Sequence, residues 1–244
     1  MLIDEADNSG SDLHIGSFFK LLTERVQKHN CNNLMIGLAG LNNMREILRQ
    51  SHSSSLRIFD EVQLGRLSRD EVSQVIDRCL SEANKINKAK TVIDEDGRKA
   101  LITLSEGYPH FIQQFGFCAF AIDSEGTITR DDVYKGAFGS RGALERIGDG
   151  YYRDNFYNKI QKDSYRQVLR IMAQNLDSWT SRKEIKEEFK GKDTTLNNAI
   201  RALRERHIII SKEGVKGIYR LQHKGFALWI NLYTREPKRK TGIE

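Results

Sequence analysis

The chain has 244 residues, of which 39% are hydrophobic and 30% are charged, so it can form one large or two modest globular domains with buried cores. No apolar run approaches the length of a membrane helix, and the acidic N-terminus differs from a secretory signal, which predicts a cytoplasmic protein with no membrane partner. The histidines and the three scattered cysteines show no metal-ligand spacing, which argues against zinc and disulfide scaffolds, and we expect all three cysteines to be buried.

Positive charge is concentrated near the C-terminal end. Residues 162–244 contain 19 Lys and Arg against 10 Asp and Glu, a net charge of +9, whereas residues 1–161 carry a net charge of −3. Clustered Lys and Arg indicate a domain that binds nucleic acid, because basic side chains that bind a phosphate backbone release its counterions. A solvated basic surface with a basic tail is the alternative interpretation.

The first third of the chain has an α/β pattern. Residues 1–3 form a short apolar run that turns abruptly acidic, as the end of a buried parallel strand does. A helix is predicted through residues 18–26, a second buried strand at residues 34–39, and a third at about 58–64. This order predicts a parallel sheet covered by helices.

From residue 67 onward the apolar spacing becomes helical. A capping box at Ser68 and Glu71 begins an amphipathic helix, and a second helix runs from about residue 94 to 105. Gly107 ends that helix and Pro109 opens the next, which is apolar nearly all round and is expected at the centre of the region. The aromatic stretch at residues 151–157 is interpreted as packing between domains, with a base-stacking platform as the alternative.

Residues 163–235 have the element order of a winged helix: three helices, a β-hairpin and a final helix. A second capping box, at Ser181 and Glu184, opens the short middle helix. The third helix, at about residues 193–207, has apolar side chains on one face, and two β-runs follow it around a glycine-bearing turn.

An acidic pair follows the first predicted strand. Asp4 is placed to hold Mg²⁺, directly or through water, and Glu5 to polarise an attacking water, as metal-assisted nucleotide hydrolysis requires. Asn42 or Asn43, after the second strand, could orient water against a terminal phosphate. The same acidic string also occurs by chance in surface loops, so that interpretation stays open.

The order of four segments resembles the AAA+ superfamily, and in particular the bacterial and archaeal ATPases with a helical lid and a winged helix that are related to origin-binding ATPases. The segments are LIDEAD (Walker B), LMIGLAGLNN (sensor 1 strand), LRIFDEVQLGRLSRDEV and SEGYPHFIQQFG (lid). The resemblance implies the C-terminal part of an AAA+ nucleotide-binding core at residues 1–66, the α/β remnant of a P-loop NTPase sheet. It also implies an all-α lid and connector at 67–160, a winged helix at 161–236 and a basic tail at 237–244.

The resemblance also implies ATP and Mg²⁺ as cofactors of the complete protein. It makes Asp4 the Mg²⁺ ligand, Glu5 the catalytic base and Asn42 the sensor 1 residue. Arg57 occupies the place of an arginine finger that reaches a neighbouring subunit, although it could equally be a surface residue. A homo-oligomer or another protein partner is therefore possible.

The sequence departs from the superfamily at two points. The lid helix has no sensor 2 arginine, so the lid either contacts nucleotide through His110 or does not sense it. No GxxxxGK[ST] string is present, so nothing cradles the β-phosphate. We therefore expect this chain alone neither to bind ATP tightly nor to hydrolyse it. A truncated gene product, a mis-assigned start or a deliberate fragment would each account for the missing loop.

The winged helix is the predicted DNA-binding part, with its third helix in a major groove and its hairpin lysines on phosphates. The predicted DNA-contacting residues are Thr194, Asn197, Asn198, Arg201, Arg204, Lys212 and Lys216. Two functional hypotheses follow. One is a nucleotide-dependent switch that presents a winged helix to DNA, and the other is a non-enzymatic winged-helix module that binds DNA or protein.

Overall fold

The computed structural model describes residues 1–31, 33–41, 44–176 and 178–234, and these form two compact units divided between Gly65 and Arg66. The tail predicted at residues 237–244 lies outside the described residues. Among the described helices, none is long and apolar enough to cross a membrane.

The first unit contains a two-stranded parallel sheet and two helices. Its elements are β1 (Leu2–Ile3), α1 (Ile15–Lys28), β2 (Gly37–Leu38) and α2 (Met44–Ser51). The strands pair in register, Leu2 with Gly37 and Ile3 with Leu38. Gly16 allows α1 to approach α2 closely, since a β-carbon there would lie 2.5 Å from the Leu48 carbonyl oxygen.

Two expectations for this sheet are wrong. Residues 59–65 form no strand, and Val62 and Leu64 are 81% and 94% exposed. The strands β1 and β2 are not buried either, because in the described residues each has one strand neighbour and Leu2 is 77% exposed. An apolar run predicts a strand only if a neighbouring strand offers hydrogen bonds and a packed layer covers it.

The first half of the second unit is helical. Its elements are α3 (Arg69–Ile86), β3 (Val92–Ile93), α4 (Glu95–Ser105), α5 (Pro109–Ile122), β4 (Thr127–Ile128), α6 (Arg130–Phe138) and α7 (Ala143–Ile147). The capping box that starts α3 is present, and a third one, at Thr129 and Asp132, starts α6. The short parallel pair β3–β4 and the helix α7 were not predicted.

Two consecutive π-helical turns, Gly148–Tyr152 and Asn155–Lys159, lead into the C-terminal segment. Its elements are α8 (Asp163–Ala173), β5 (Thr180–Ser181), α9 (Arg182–Glu188), α10 (Asp193–Glu205), β6 (Ile209–Ser211), β7 (Ile218–Leu221) and α11 (Lys224–Tyr233). The strands form one antiparallel sheet in the order β5-β7-β6.

One hydrophobic core runs through the second unit, from Val72 in α3 to Ile230 in α11. Phe115 and Ala119 of α5 are among its most buried members, which confirms the central position predicted for that helix. Tyr152 and Phe156 pack against Trp229 of α11, with ring centroids 6.1 and 5.8 Å apart. These two aromatics therefore pack as expected, whereas the burial expected of the cysteines is wrong for Cys31 and Cys79, which are exposed.

Candidate functional site

The acidic pair lies where two parallel strands end together. Asp4 follows β1, and the residue that follows β2, Ala39, donates its N–H to the Ile3 carbonyl at 2.8 Å and accepts from Ala6 N at 2.9 Å. Glu5 adopts a left-handed backbone conformation with φ of 52°. Both acidic side chains are exposed, so their carboxylates face water at this strand end.

Asp7 is a third carboxylate at this strand end, and the sequence pattern did not single it out. Its Oδ1 accepts the Leu41 N–H at 3.1 Å, which ties the 3-10 turn after β1 to the residues that follow β2. Asp4 Oδ1 accepts the Glu5 N–H at 2.8 Å, and Glu5 Oε2 accepts the Asn8 side chain at 3.2 Å. Asn42 lies outside the described residues.

The exposed carboxylate of Asp4 at this strand end is the predicted Mg²⁺ ligand, and that role stays a prediction. Exposed carboxylate oxygens are ligands that Mg²⁺ accepts while it keeps most of its waters. The described residues hold no cluster of three or more His, Cys, Asp or Glu side chains that could form a metal cage. The sequence contains no GxxxxGK[ST] string that would position the phosphates of ATP.

Arg57 lies in the short 3-10 helix Ser55–Ile58, and its side chain is exposed. The strand expected to follow and position it is absent. Its role as an arginine finger therefore stays a prediction that rests on sequence order alone.

The turn between α4 and α5 is joined to the start of α11. Glu106, in a left-handed conformation, has a side chain only 8% exposed, and its Oε1 accepts the Gly225 N–H at 2.9 Å. Arg66 lies 3.4 Å from Glu106 Oε2, donates to the Gln222 carbonyl at 3.0 Å and covers the Tyr108 ring at 4.7 Å. Neither Arg66 nor Glu106 was predicted, because nothing in the sequence signals a partner more than a hundred residues away.

Two histidines lie beside this turn in different environments. His110 is exposed and its ring packs 5.0 Å from that of Tyr151, so its expected contact with nucleotide stays a prediction. The His223 ring lies 4.7 Å from the Tyr108 ring. Burial, together with the nearby charge of Arg66, lowers the pKa of His223 to about 4, so the ring is neutral at pH 7.

The helix α10 presents a polar row to solvent. Its apolar face is buried through Leu196, Ala199, Ile200 and Leu203. The predicted DNA-contacting residues of α10 are all exposed, and they are Thr194, Asn197, Asn198, Arg201 and Arg204. Helical spacing therefore brings these five side chains together on the face away from the core.

Some of these side chains already have partners within the chain. Arg182 donates to Asn197 Oδ1 at 3.0 Å and to Asp193 Oδ2 at 2.9 Å, and Lys186 lies 3.0 Å from Asp193 Oδ1. Hydrogen bonds from these two basic groups lower the pKa of Asp193. Asp193 is exposed at the start of α10, so its negative charge lies where a DNA backbone would approach.

The β6–β7 hairpin adds exposed basic residues. Lys212 and Lys216 are exposed, and the turn between them contains Gly214 with φ of 72°. A surface pocket of about 640 Å³ beside the hairpin is lined by Lys216 together with Arg182, Lys183 and Lys186 of α9. The hairpin and α9 thus form a basic surface to which phosphate could bind, although Glu187 also lines it.

No family model matches the sequence, and no curated protein matches it. The chain is similar to the RuvB Holliday junction branch migration motor of Thermotoga maritima, at 14% identity and a TM-score of 0.44, over 97% of this chain and 70% of that one. It is also similar to Cdc6p of Pyrobaculum aerophilum, at 12% identity and a TM-score of 0.36, over 93% of this chain and 62% of that one.

Proposed function

We propose that the chain is part of an AAA+-like, nucleotide-dependent switch in which a helical lid, α3–α7, carries a winged helix, α8–α11, that binds double-stranded DNA. The main support is the exposed polar row on α10, which lies beside the basic surface of α9 and the hairpin. The antiparallel order β5-β7-β6 and the order of the helices around it support the winged-helix assignment in this proposal.

In this proposal α10 lies in the major groove. Arg201 and Arg204 are the long basic side chains of the exposed row, and arginine suits the acceptor edge of guanine. Asn198 suits an adenine edge, but its Oδ1 accepts from Arg201 at 3.3 Å. Asn197 Oδ1 accepts from Arg182 at 3.0 Å, so each asparagine has to exchange its partner to reach a base. Lys212 and Lys216 would contact phosphates on the flank.

The test is a titration of duplex DNA at several salt concentrations with the double variant Arg201→Ala/Arg204→Ala. We expect affinity to fall at least about tenfold, since each good arginine–guanine pair contributes about 1 to 3 kcal/mol of discrimination. The matched control is Lys88→Ala/Lys90→Ala, which removes the same charge from an exposed loop after α3. Equal affinity of the two double variants would remove α10 from the interface.

For nucleotide chemistry we propose that this chain alone does not hydrolyse ATP, because its sequence has no phosphate-binding loop. Equilibrium binding of radiolabelled ATP with Mg²⁺ is expected to show no saturable site of micromolar affinity that depends on Asp4. Phosphate release should be the same for the wild type and for Glu5→Gln. A saturable site that is lost in Asp4→Asn, or a loss of phosphate release in Glu5→Gln, contradicts the proposal.

The alternative is a non-enzymatic winged-helix module that binds a protein. It is supported by Asp193, Glu187 and Glu188, whose negative charges weaken the attraction of this surface for DNA. Absence of duplex binding at low salt, together with self-association or capture of a partner through the α10 face, would favour this alternative.

A further inference from the structure

A large cleft opens between the π-helical segment and the end of α10. It has a volume of about 990 Å³, within the range of sites that hold small ligands. Its lining includes the aromatic residues Phe111, Tyr152 and Phe226 and the polar residues Arg206, His207 and Gln222. None of the five exposed residues of the α10 row lines it, so it is a different surface from the proposed duplex interface.

The charged residues that line the cleft are all basic. Lys159, Lys162 and Arg206 contribute to the lining, whereas no acidic residue in the described part of the chain does. Lys159 has a carboxylate partner in Asp154 at 3.3 Å, but no ion pair with a carboxylate is formed by Lys162 or Arg206 among the described residues. Two basic groups are therefore available to an anion in this cleft.

Arg206 is held in position across the cleft. Its Nη1 donates to the Lys159 carbonyl at 2.6 Å, which joins the end of α10 to the second π-helical turn. The backbone N–H of Arg206 in turn bonds to the Ala202 carbonyl at 3.2 Å, so the residue continues the last turn of α10. Its guanidinium keeps further N–H donors for a ligand, since this bond uses one of five.

Aromatic rings lie beside these charges. Tyr151 is 50% exposed, and its ring is supported by those of His110 at 5.0 Å and Phe111 at 6.4 Å. Lys162 Nζ lies 5.4 Å from the centroid of the Tyr165 ring, so one side of the cleft combines an aromatic face with a cation. Exposed, supported rings next to basic groups are what stacking of a base beside its phosphate requires.

The backbone that carries Tyr151 and Lys159 is unusual. Both residues lie in π-helical turns, which are rare and occur frequently at functional sites. Two such turns follow one another here and place Tyr151, Asn155 and Asn158 on the cleft. The side-chain nitrogens of Asn155 and Asn158 donate to the Tyr151 carbonyl at 2.8 Å and to Asp154 Oδ1 at 2.9 Å, and their amide oxygens can accept from the polar edge of a base.

We propose that this cleft binds a nucleotide, with its base stacked on Tyr151 and its phosphate held by Lys162 and Arg206. The nucleotide is either free or an unpaired residue of a single strand, since both offer the same base and phosphate. A simple anion would leave the aromatic faces unused, and a neutral aromatic ligand would leave the two basic groups unused.

The test compares two double variants of the full chain. Tyr151→Ala/Lys162→Ala removes the stacking ring and one basic group from the cleft. Tyr134→Ala/Lys135→Ala removes the same two side-chain types from exposed positions on α6, away from the cleft, and is the matched control. Circular dichroism and thermal unfolding establish that each variant is folded, and Tyr151→Phe, which keeps the ring, tests the stacking role separately.

The probes are a fluorescently labelled twelve-residue oligo(dT), followed by anisotropy, and AMP and ATP, followed by calorimetry. We expect the cleft variant to bind one of these probes at least about tenfold more weakly than the control, because stacking contributes roughly five- to hundredfold per base. With oligo(dT), the slope of log affinity against log salt should become shallower by about 0.7, the value for one lost phosphate contact. Tyr151→Phe should bind like the wild type.

The two sources give different results. Binding of oligo(dT) without competition by AMP or ATP identifies a single strand, whereas calorimetric binding of AMP or ATP identifies a free nucleotide. Absence of binding by every probe, or equal affinity of the cleft variant and the control, overturns the proposal. The duplex titration separates this site from the proposed DNA interface, since Tyr151→Ala/Lys162→Ala should bind duplex DNA normally and Arg201→Ala/Arg204→Ala should bind the cleft probe normally.

Discussion

His223 should make the stability of the second unit depend on pH. Its ring is partly buried against Tyr108 and Phe111, and burial together with the charge of Arg66 lowers its pKa from 6.5 to about 4. Between these two pH values the unfolded chain binds a proton that the folded chain does not. The contribution of His223 to the free energy of unfolding is therefore complete above about pH 6.5 and is lost as the pH falls toward 4.

The size of the effect follows from the difference between the two pKa values. The full difference corresponds to roughly 3 kcal/mol. Only part of this free-energy difference has accumulated by pH 5, and solvent weakens the effect on a partly buried ring. We therefore expect the free energy of unfolding to fall by about 1 to 2 kcal/mol between pH 7 and pH 5. Stopping at pH 5 avoids most of the titration of the carboxylates.

Urea unfolding at pH 7, 6 and 5 measures this effect in the wild type and in His223→Gln, which has no titrating ring. The variant should lose about 1 to 2 kcal/mol less than the wild type over this range. His110→Gln, an exposed histidine of the same unit, is the control and should follow the wild type. The same loss of stability in His223→Gln and in the wild type would refute the reasoning.

Three further predictions concern the second unit. Glu106→Ala should lower the free energy of unfolding by about 1 to 3 kcal/mol, since it leaves a first-turn amide of α11 without its acceptor, whereas Glu106→Gln should lose less in the same urea assay. Gly148→Ala should lower the free energy of unfolding by about 3 kcal/mol, because the added β-carbon would lie 2.0 Å from Trp229 Nε1. Gly116→Ala is the control and should not lower it, because the space around Gly116 is open. Asp193→Asn should bind duplex DNA more tightly and with a steeper salt dependence, because the substitution removes an exposed negative charge and releases Arg182 and Lys186 from their ion pairs. Unchanged binding would place that end of α10 outside the interface.

The helices were predictable because their signals are local. The capping boxes at Ser68 and Ser181 place the starts of α3 and α9 within a few residues of sequence, and both are present. The spacing of apolar residues likewise identified the buried face of α10. Strands depend on partners elsewhere in the chain, which is why the segment at residues 58–64 predicted a strand that does not form.

The candidate sites were predictable to different degrees. Helical periodicity alone placed Arg201 and Arg204 on an exposed face, and parallel pairing placed Asp4 at the strand end beside β2. The engagement of Asn197 by Arg182 could not be foreseen, because it depends on how α9 packs against α10. The cleft near Arg206 likewise depends on π-helical turns, whose i→i+5 bonds leave no recognised residue pattern.

The shared core of the second unit limits how a switch could work. If nucleotide moved the lid alone, α11 would have to separate from α7 and from the π-helical segment. That movement would expose Trp229, which is 1% exposed, and would break the bond between Glu106 and Gly225. Burial of a large aromatic side chain contributes several kcal/mol, comparable to the whole differential affinity that a ligand commonly supplies to an allosteric transition. The lid and the proposed winged helix are therefore expected to move as one body, so that nucleotide would change the orientation of α10 toward DNA without changing the conformation of its contact surface.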